Sequence, residues 1–492
     1  MRQRLLLGAG VLLVLLRCGG DGSSEGNGGS SGNAGDGSSG SSGSSGRATG
    51  GSGGAMNGAG EGGDAQSGSS GSTSGRAGRG GGGNAGTGTS GTGGDGVGDD
   101  TVSGHVTAGS GEPVVGAVVA IGSTLATTDA DGYFEIPNVA PKYDAVLVQE
   151  DQGYALVVRS ATTRTLNLVG QGFTTPHSVT VLGAITGGAG APLPSGHVAA
   201  ISFLSSDMKN DTSGGGVNED GTYGLVATWF GESTVEGDLF ALGLERDADA
   251  HPVSYDGFGA KHIKLRTGVE FIGPDASTTI ALQAIDARTV SGTLSAPDGY
   301  DAQLSFRVGR FETDYIENPP GDFETLLPVG AGELPTYVHV ELMRELGNTL
   351  EDVVTFFQID ESATELELSS STAAIQVLPL DAVEGVDGDT TFTWTNPPHS
   401  VATVQFEFDA WSVDVVTTDT STKLPDLADY GVTFGAGETG RWEVWSALGV
   451  DGVDDVDAWT QAQEFSFSYP YLVAHDRSGY ASSGFRTFTL AE

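Results

Sequence analysis

The chain has 492 residues, 80 of them glycine and one cysteine, with 22 basic against 64 acidic side chains and a net charge of −42. That charge repels nucleic acid and anionic lipid, since the Lys and Arg stripes that phosphate binding needs are absent, and nucleic acid is excluded as a partner. A lone cysteine excludes a disulfide framework and a thiolate metal site.

In chain order, Arg2 and Arg4 precede an apolar run from Leu5 to Leu16. This is the charged and then apolar layout of an export signal, and it is too short for a bilayer span, which needs about 20 residues. The junction Leu15-Leu16-Arg17-Cys18 closes the segment 1–18. It resembles the lipobox of bacterial lipoproteins, and the resemblance implies cleavage before Cys18 and a lipid on its sulfur. Arg17 departs from the small residue of that pattern, so an ordinary secreted or periplasmic protein is the alternative. Gly19 replaces the aspartate that retains many such lipoproteins at the inner membrane. By resemblance, this favours a lipid anchor in the outer membrane or at the cell surface.

Residues 19–100 lack Phe, Tyr, Trp, Leu and Ile and are dominated by Gly, Ser and Asn. They bury too little apolar surface to offset ordering entropy, so a disordered linker is expected, with a root-mean-square reach of about 50 Å. Sixteen of the basic and 56 of the acidic residues fall in 101–492, which therefore carries a net charge of −40.

That remainder reads as all-β, as tandem β-sandwich domains: short Val, Thr, Phe and Tyr runs between Gly, Asp and Asn turns. The clearest unit, 101–170, contains Thr101-Val-Ser-Gly-His-Val-Thr107, then Gly111-Glu-Pro-Val-Val-Gly-Ala-Val-Val-Ala-Ile121, Thr128-Asp-Ala-Asp-Gly-Tyr-Phe-Glu-Ile136 and Tyr143 to Val148. Gly116 and Ala117 are expected to allow close strand approach, Asp131-Gly132 to turn the chain, and Phe134 and Ile136 to share a face. These residues resemble the carboxypeptidase regulatory-like domain, a transthyretin-like sandwich. The resemblance implies an accessory module without catalytic residues of its own.

A weaker version of the same grammar runs through 171–288, in Ser178–Gly183, Ala191–Ile201 and Asn218–Leu225. Thr289-Val-Ser-Gly-Thr-Leu294 opens a third unit, 289–376, with Gly321–Pro328 as its central turn and strand. Between 337 and 359, Met343, Leu346, Leu350, Val353, Val354 and Phe357 recur at helical spacing. Val338, Val340 and Leu342 alternate instead, and Gly347-Asn348 is a turn pair, so a hairpin is favoured over a helix.

Segment 377–492 carries Trp394, Trp411, Trp442, Trp445 and Trp459. Thr391–Thr395, Val404–Phe408, Lys423–Leu427, Arg441–Trp445 and Glu464–Tyr469 resemble a fibronectin type III-like sandwich. Trp442 and Val444 share one face, which leaves Trp445 on the other, either as a stacking platform for a sugar ring or inside a domain contact.

No His-Glu-x-x-His zinc motif is present. Asp129-Ala-Asp-Gly132 lacks the late glutamate of a calcium loop and reads as a β-turn. Asp451, Asp454, Asp455 and Asp457 crowd one loop and are weak calcium candidates, with a solvated charged loop as the default. No catalytic residue is nominated and no cofactor is expected beyond that calcium. The expectation is a membrane-tethered, non-enzymatic envelope protein displaying sandwiches to a glycan or an envelope protein. The alternatives are a glycan-active enzyme component and a passive spacer.

Overall fold

The computed structural model describes residues 100–492 except 110, 172–175, 207–210, 214–215, 320, 333, 347–348 and 456–476. The stretch 1–18 with Cys18, the linker 19–100 apart from its last residue, Asp457, Trp459 and the alternation Glu464–Tyr469 lie outside the described residues.

The described chain is all-β, interrupted by three one-turn 3-10 helices at Glu150–Gln152, Gly188–Gly190 and Ala428–Tyr430. No helix among the described residues is long and apolar enough to cross a membrane. Period-2 burial makes the strands: along Val102–Ala108 residues 102, 104, 106 and 108 are buried, and Phe134 and Ile136 share the core face as expected. Gly104 is where backbone approach demands glycine, because a Cβ there would overlap the Leu166 carbonyl. Gly116 has a different role from the one expected: nothing lies within 4 Å of where its Cβ would be, and it supplies a φ of 81° at a turn. The 337–359 region is a hairpin, Thr336–Leu346 against Thr349–Gln358.

Segments 101–170, 289–376 and 377–492 contribute strands to one 14-stranded sheet. From one edge its order is Phe311–Glu317, Asp301–Val308, Thr336–Leu346, Thr349–Gln358, Arg477–Ser482, Thr439–Leu448, Ser400–Glu407, Ser412–Thr417, Tyr154–Ala161, Tyr143–Gln149, Val118–Ile121 and Thr124–Thr127. The short strands Val383–Val386 and Arg486–Leu490 branch from it.

Two joints make it continuous. At the first, Ser412 to Val416 pair in parallel with Tyr154 to Val158. At the second, Asp352 to Phe357 pair antiparallel with Ser482 to Arg477.

The first joint is buried on both faces: Leu156 and Val158 enter one core, Ala155 and Val157 another. Hence Tyr154-Ala-Leu-Val-Val158 and Val413-Asp-Val-Val416 read as near-continuous apolar runs rather than as alternation. Smaller sheets cover the large one. Tyr133–Ile136, Val102–Ala108 and Leu168–Gly170 close the core of segment 101–170, while Ile375–Leu378, Thr391–Thr395 and Ser421–Lys423 close that of 377–492 around Phe392, Phe406, Trp442 and Phe488.

Segment 171–288 stands apart. Its two sheets, one of four strands and one of five, enclose their own core around Phe203, Leu239 and Trp229 and share no strand with the large sheet.

Candidate functional site

Strand pairing places a row of carboxyl and aromatic side chains on one face of the large sheet, across both joints. Register puts Tyr154 beside Ser412, Asp414 beside Gln405, Gln405 beside Glu443 and Thr403 beside Trp445. It then runs from Ala447 to Tyr480, to Val354 and to Glu341.

At the first joint, Asp414 is buried at 3% exposure, accepts a hydrogen bond from Tyr154 Oη at 3.0 Å and another from Gln405 Nε2 at 3.3 Å. Burial, followed by the nearby Asp414, holds the Tyr154 phenol well above its usual range. Glu443, 2% exposed, is pushed up to about 8 by burial, with Glu407 and Asp414 adding to the rise and a hydrogen bond from Trp445 opposing it. Glu407 itself is paired with Arg441.

At the second joint, Tyr480 donates to Asp352 Oδ2 at 3.4 Å, and Asp352 Oδ1 is buried without a partner. Burial and then the Glu341 charge push Asp352 up to about 7. Burial also raises Glu341 and drives His339, stacked on Phe356 at 4.9 Å, down to about 3.

Chemically, burial favours the protonated form of Glu443, Asp352 and Glu341, while Asp414 and Asp352 sit on strands at the two joints. Two shallow surface depressions, of about 470 and 530 Å³, lie elsewhere, around residues 114–117 with 149–151 and around 291–293 with 322–323 and 365–367. Neither is lined by Glu443, Asp414, Asp352 or Glu341.

The sequence candidates fall as follows. Trp445 is half-buried on the face opposite Trp442, packed against the core of segment 101–170, with its ring 6.1 Å from that of Tyr480. Asp451 faces His399 Nδ1 at 2.9 Å. Asp454 accepts from the Thr162 amide at 2.9 Å, Thr162 Oγ1 at 2.5 Å and the Thr163 amide at 3.2 Å. Desolvation works against its charge, but those hydrogen bonds prevail and hold it below the usual carboxylate range. It clips the 449–455 loop to segment 101–170. Asp455 is exposed, with its amide donating to the Gly452 carbonyl at 3.3 Å. Among the described residues no group of three or more His, Cys, Asp or Glu is placed to hold a metal ion. Asp129 closes a turn by accepting from the Asp131 and Tyr133 amides, both at 2.9 Å.

Sequence reasoning missed Asp414, Glu443 and Asp352. Their signal is a carboxylate within an apolar strand run: Val413-Asp-Val, Trp442-Glu-Val and Asp352-Val-Val.

No protein-family model and no curated protein matches the chain, so the regulatory-like and fibronectin-like resemblances identify no family. Among solved structures, the chain is distantly similar to the Bacillus anthracis TIE protein, with 12% identity, 55% of this chain and 50% of that one covered, and a TM-score of 0.14. It is likewise similar to the pilus adhesin SpaC from Lactobacillus rhamnosus GG (7% identity, 72% and 52% covered, TM-score 0.13). The chicken CNTN1 FN1–FN3 domains match with 10% identity, 56% and 95% covered, and a TM-score of 0.13. The chain thus spans about half the length of the TIE chain. Similarity of this degree carries no argument about function.

Proposed function

We propose that the protein is a membrane-tethered, non-enzymatic envelope protein in which a lipid on Cys18 anchors a β body that recognises a glycan or another envelope protein. The observation that carries this reading is the fused sheet. Backbone pairing through both joints makes three segments one stiff support, suited to presenting loops and edges at the end of a tether. The Gly- and Ser-rich composition of 19–100 supplies the reach. In the same reading, 101–170 is a regulatory-like accessory module, 377–492 is fibronectin type III-like, and the anchor lies in the outer membrane.

The glycan-active alternative asks for carboxyls facing an open cleft. Burial of Asp414 at the first joint and of Glu443 two strands away weighs against it.

The test is expression of the full chain in a Gram-negative host. Fractionation and mass spectrometry should find a lipid-modified Cys18 in the membrane fraction, and Cys18→Ala should move the protein to a soluble fraction. Purified protein should then be retained by one of peptidoglycan, lipopolysaccharide, exopolysaccharide or envelope protein. An unmodified Cys18 overturns the tether, and retention on none of the four overturns recognition in favour of a passive spacer.

A further inference from the structure

Segment 171–288 is an arm held to the fused sheet mainly by side chains. The chain enters segment 289–376 through residues 282–286. Across the contact an apolar cluster joins buried Leu242 and Phe258 of the arm to Val308, Phe311 and Ala331, with partly buried Ala200, Phe240, Tyr255, Ile285 and Leu334 packed around it. The polar contacts include Tyr255 Oη donating to the Leu326 carbonyl at 2.8 Å and Arg246 Nη2 donating to the Glu312 carbonyl at 3.0 Å. They also include His251 Nδ1 with Asp314 Oδ1 at 2.8 Å.

The last pair is unusual in its burial. The Asp314 side chain is 1% exposed, whereas His251 is 44% exposed. The other polar contact of Asp314 Oδ1 is the Tyr315 amide at 2.8 Å, and Oδ2 is buried without a partner. A buried carboxylate so placed depends on its cation, and removing one member of such a pair leaves an uncompensated charge.

We propose that His251 and Asp314 form a proton-operated latch that fixes the arm against the fused sheet when His251 is charged and frees it when His251 is neutral. The groups around His251 favour the cation. From its own turn come Asp247 and Asp249, and from the facing strand come Asp314 and Glu312. The Glu312 carboxylate is engaged by Ser305 at 2.7 Å and Arg307 at 3.5 Å. Arg246 is the nearby opposing charge, and its guanidinium is committed to the Ala250 and Glu312 carbonyls. The hydrogen bond to Asp314 raises His251 above its ordinary 6.5, desolvation opposes this, and Asp314, Asp247 and Asp249 add to the rise. Because the folded value is raised, the latch is fully engaged below about pH 6.5 and is lost as pH climbs through the raised value. The pair His197–Asp256 lies wholly within the arm and does not cross the contact.

The test uses the full chain with Cys18→Ser, which leaves no other cysteine, and spin labels at Glu219→Cys on the arm and Asp429→Cys in the 3-10 turn of segment 377–492. Pulsed electron spin resonance should give a narrow distance distribution at pH 5.5 and one at least twofold broader at pH 8.5. His251→Gln should be broad at both values, and His251→Lys or His251→Arg should restore the narrow distribution at pH 8.5. A wild-type width that does not change with pH overturns the latch, and so does a His251→Gln variant that responds to pH as the wild type does. The outcome is independent of lipidation and of any envelope ligand.

Discussion

The fused sheet and the arm are made from similar β units and are held in opposite ways. At the Tyr154–Ser412 and Asp352–Ser482 joints, backbone ladders cross from one segment to the next with apolar side chains on both faces. Between the arm and segment 289–376 the contact is an apolar cluster of five buried residues with partly buried ones packed around it, two side chain to backbone hydrogen bonds, and an ion pair at the rim. Similar sequence grammar therefore gives a rigid union in one place and a detachable one in another. The difference lies in which strand edges meet, since an unpaired edge is a ready template for a neighbouring strand.

The comparison breaks most sharply in the core of the first joint. Leu156 is fully buried, and Leu156→Ala should cost about 2–5 kcal/mol and destabilise segments 101–170 and 377–492 together. Leu239→Ala in the arm should cost a similar amount yet leave the fused sheet folded. Denaturant titration followed by tryptophan fluorescence separates the two outcomes, because Trp229 reports on the arm and the other tryptophans lie in 377–492.

Next comes Val416→Pro: the Ser412 amide donates across the joint to the Gly153 carbonyl, and the same alternation turns the Val416 amide into the parallel ladder, so the substitution removes a donor there and should cost about 3 kcal/mol or more. Limited proteolysis should then release 101–170 from the remainder, while the same substitution at exposed Val253 should leave this joint intact.

The pH response sharpens the contrast further. Asp352 and Glu443 are raised to about 7 and about 8, so each native carboxyl binds a proton that the unfolded chain has already released above about pH 4–5. Stability of the fused sheet should be greatest near pH 4–5 and fall by a few kcal/mol, to order of magnitude, as pH rises through 7 and 8. Thermal denaturation of Asp352→Asn with Glu443→Gln should show a flatter profile.

The smallest effect is expected at the clip. Asp454→Ala should cost roughly 1 kcal/mol, and because the Asp454 carboxyl is held low, that contribution should disappear as pH falls through its native value. A matched Asp451→Ala, at an exposed site beside His399, should lie within about 0.5 kcal/mol of wild type.

The sequence by itself determined the β class, the strands whose faces alternate, and the 337–359 hairpin. These follow from local rules: period-2 burial, turn residues, and the choice of glycine where a Cβ would clash or φ is positive. Val102–Ala108, Thr391–Thr395 and Asp322–Val329 fall within a residue or so of where alternation puts them. Tertiary structure alone decided which edges pair. Tyr154 and Ser412 are 258 positions apart, and nothing in either strand names the other, although the apolar run around each records burial on two faces. The carboxyl row was not legible as a row for the same reason: Glu443 and Asp352 are raised first by burial and then by neighbouring carboxylates, and Asp414 meets Tyr154, only when distant strands are joined. Burial and charge proximity are properties of the assembled sheet, whereas strand formation is a property of a few adjacent residues.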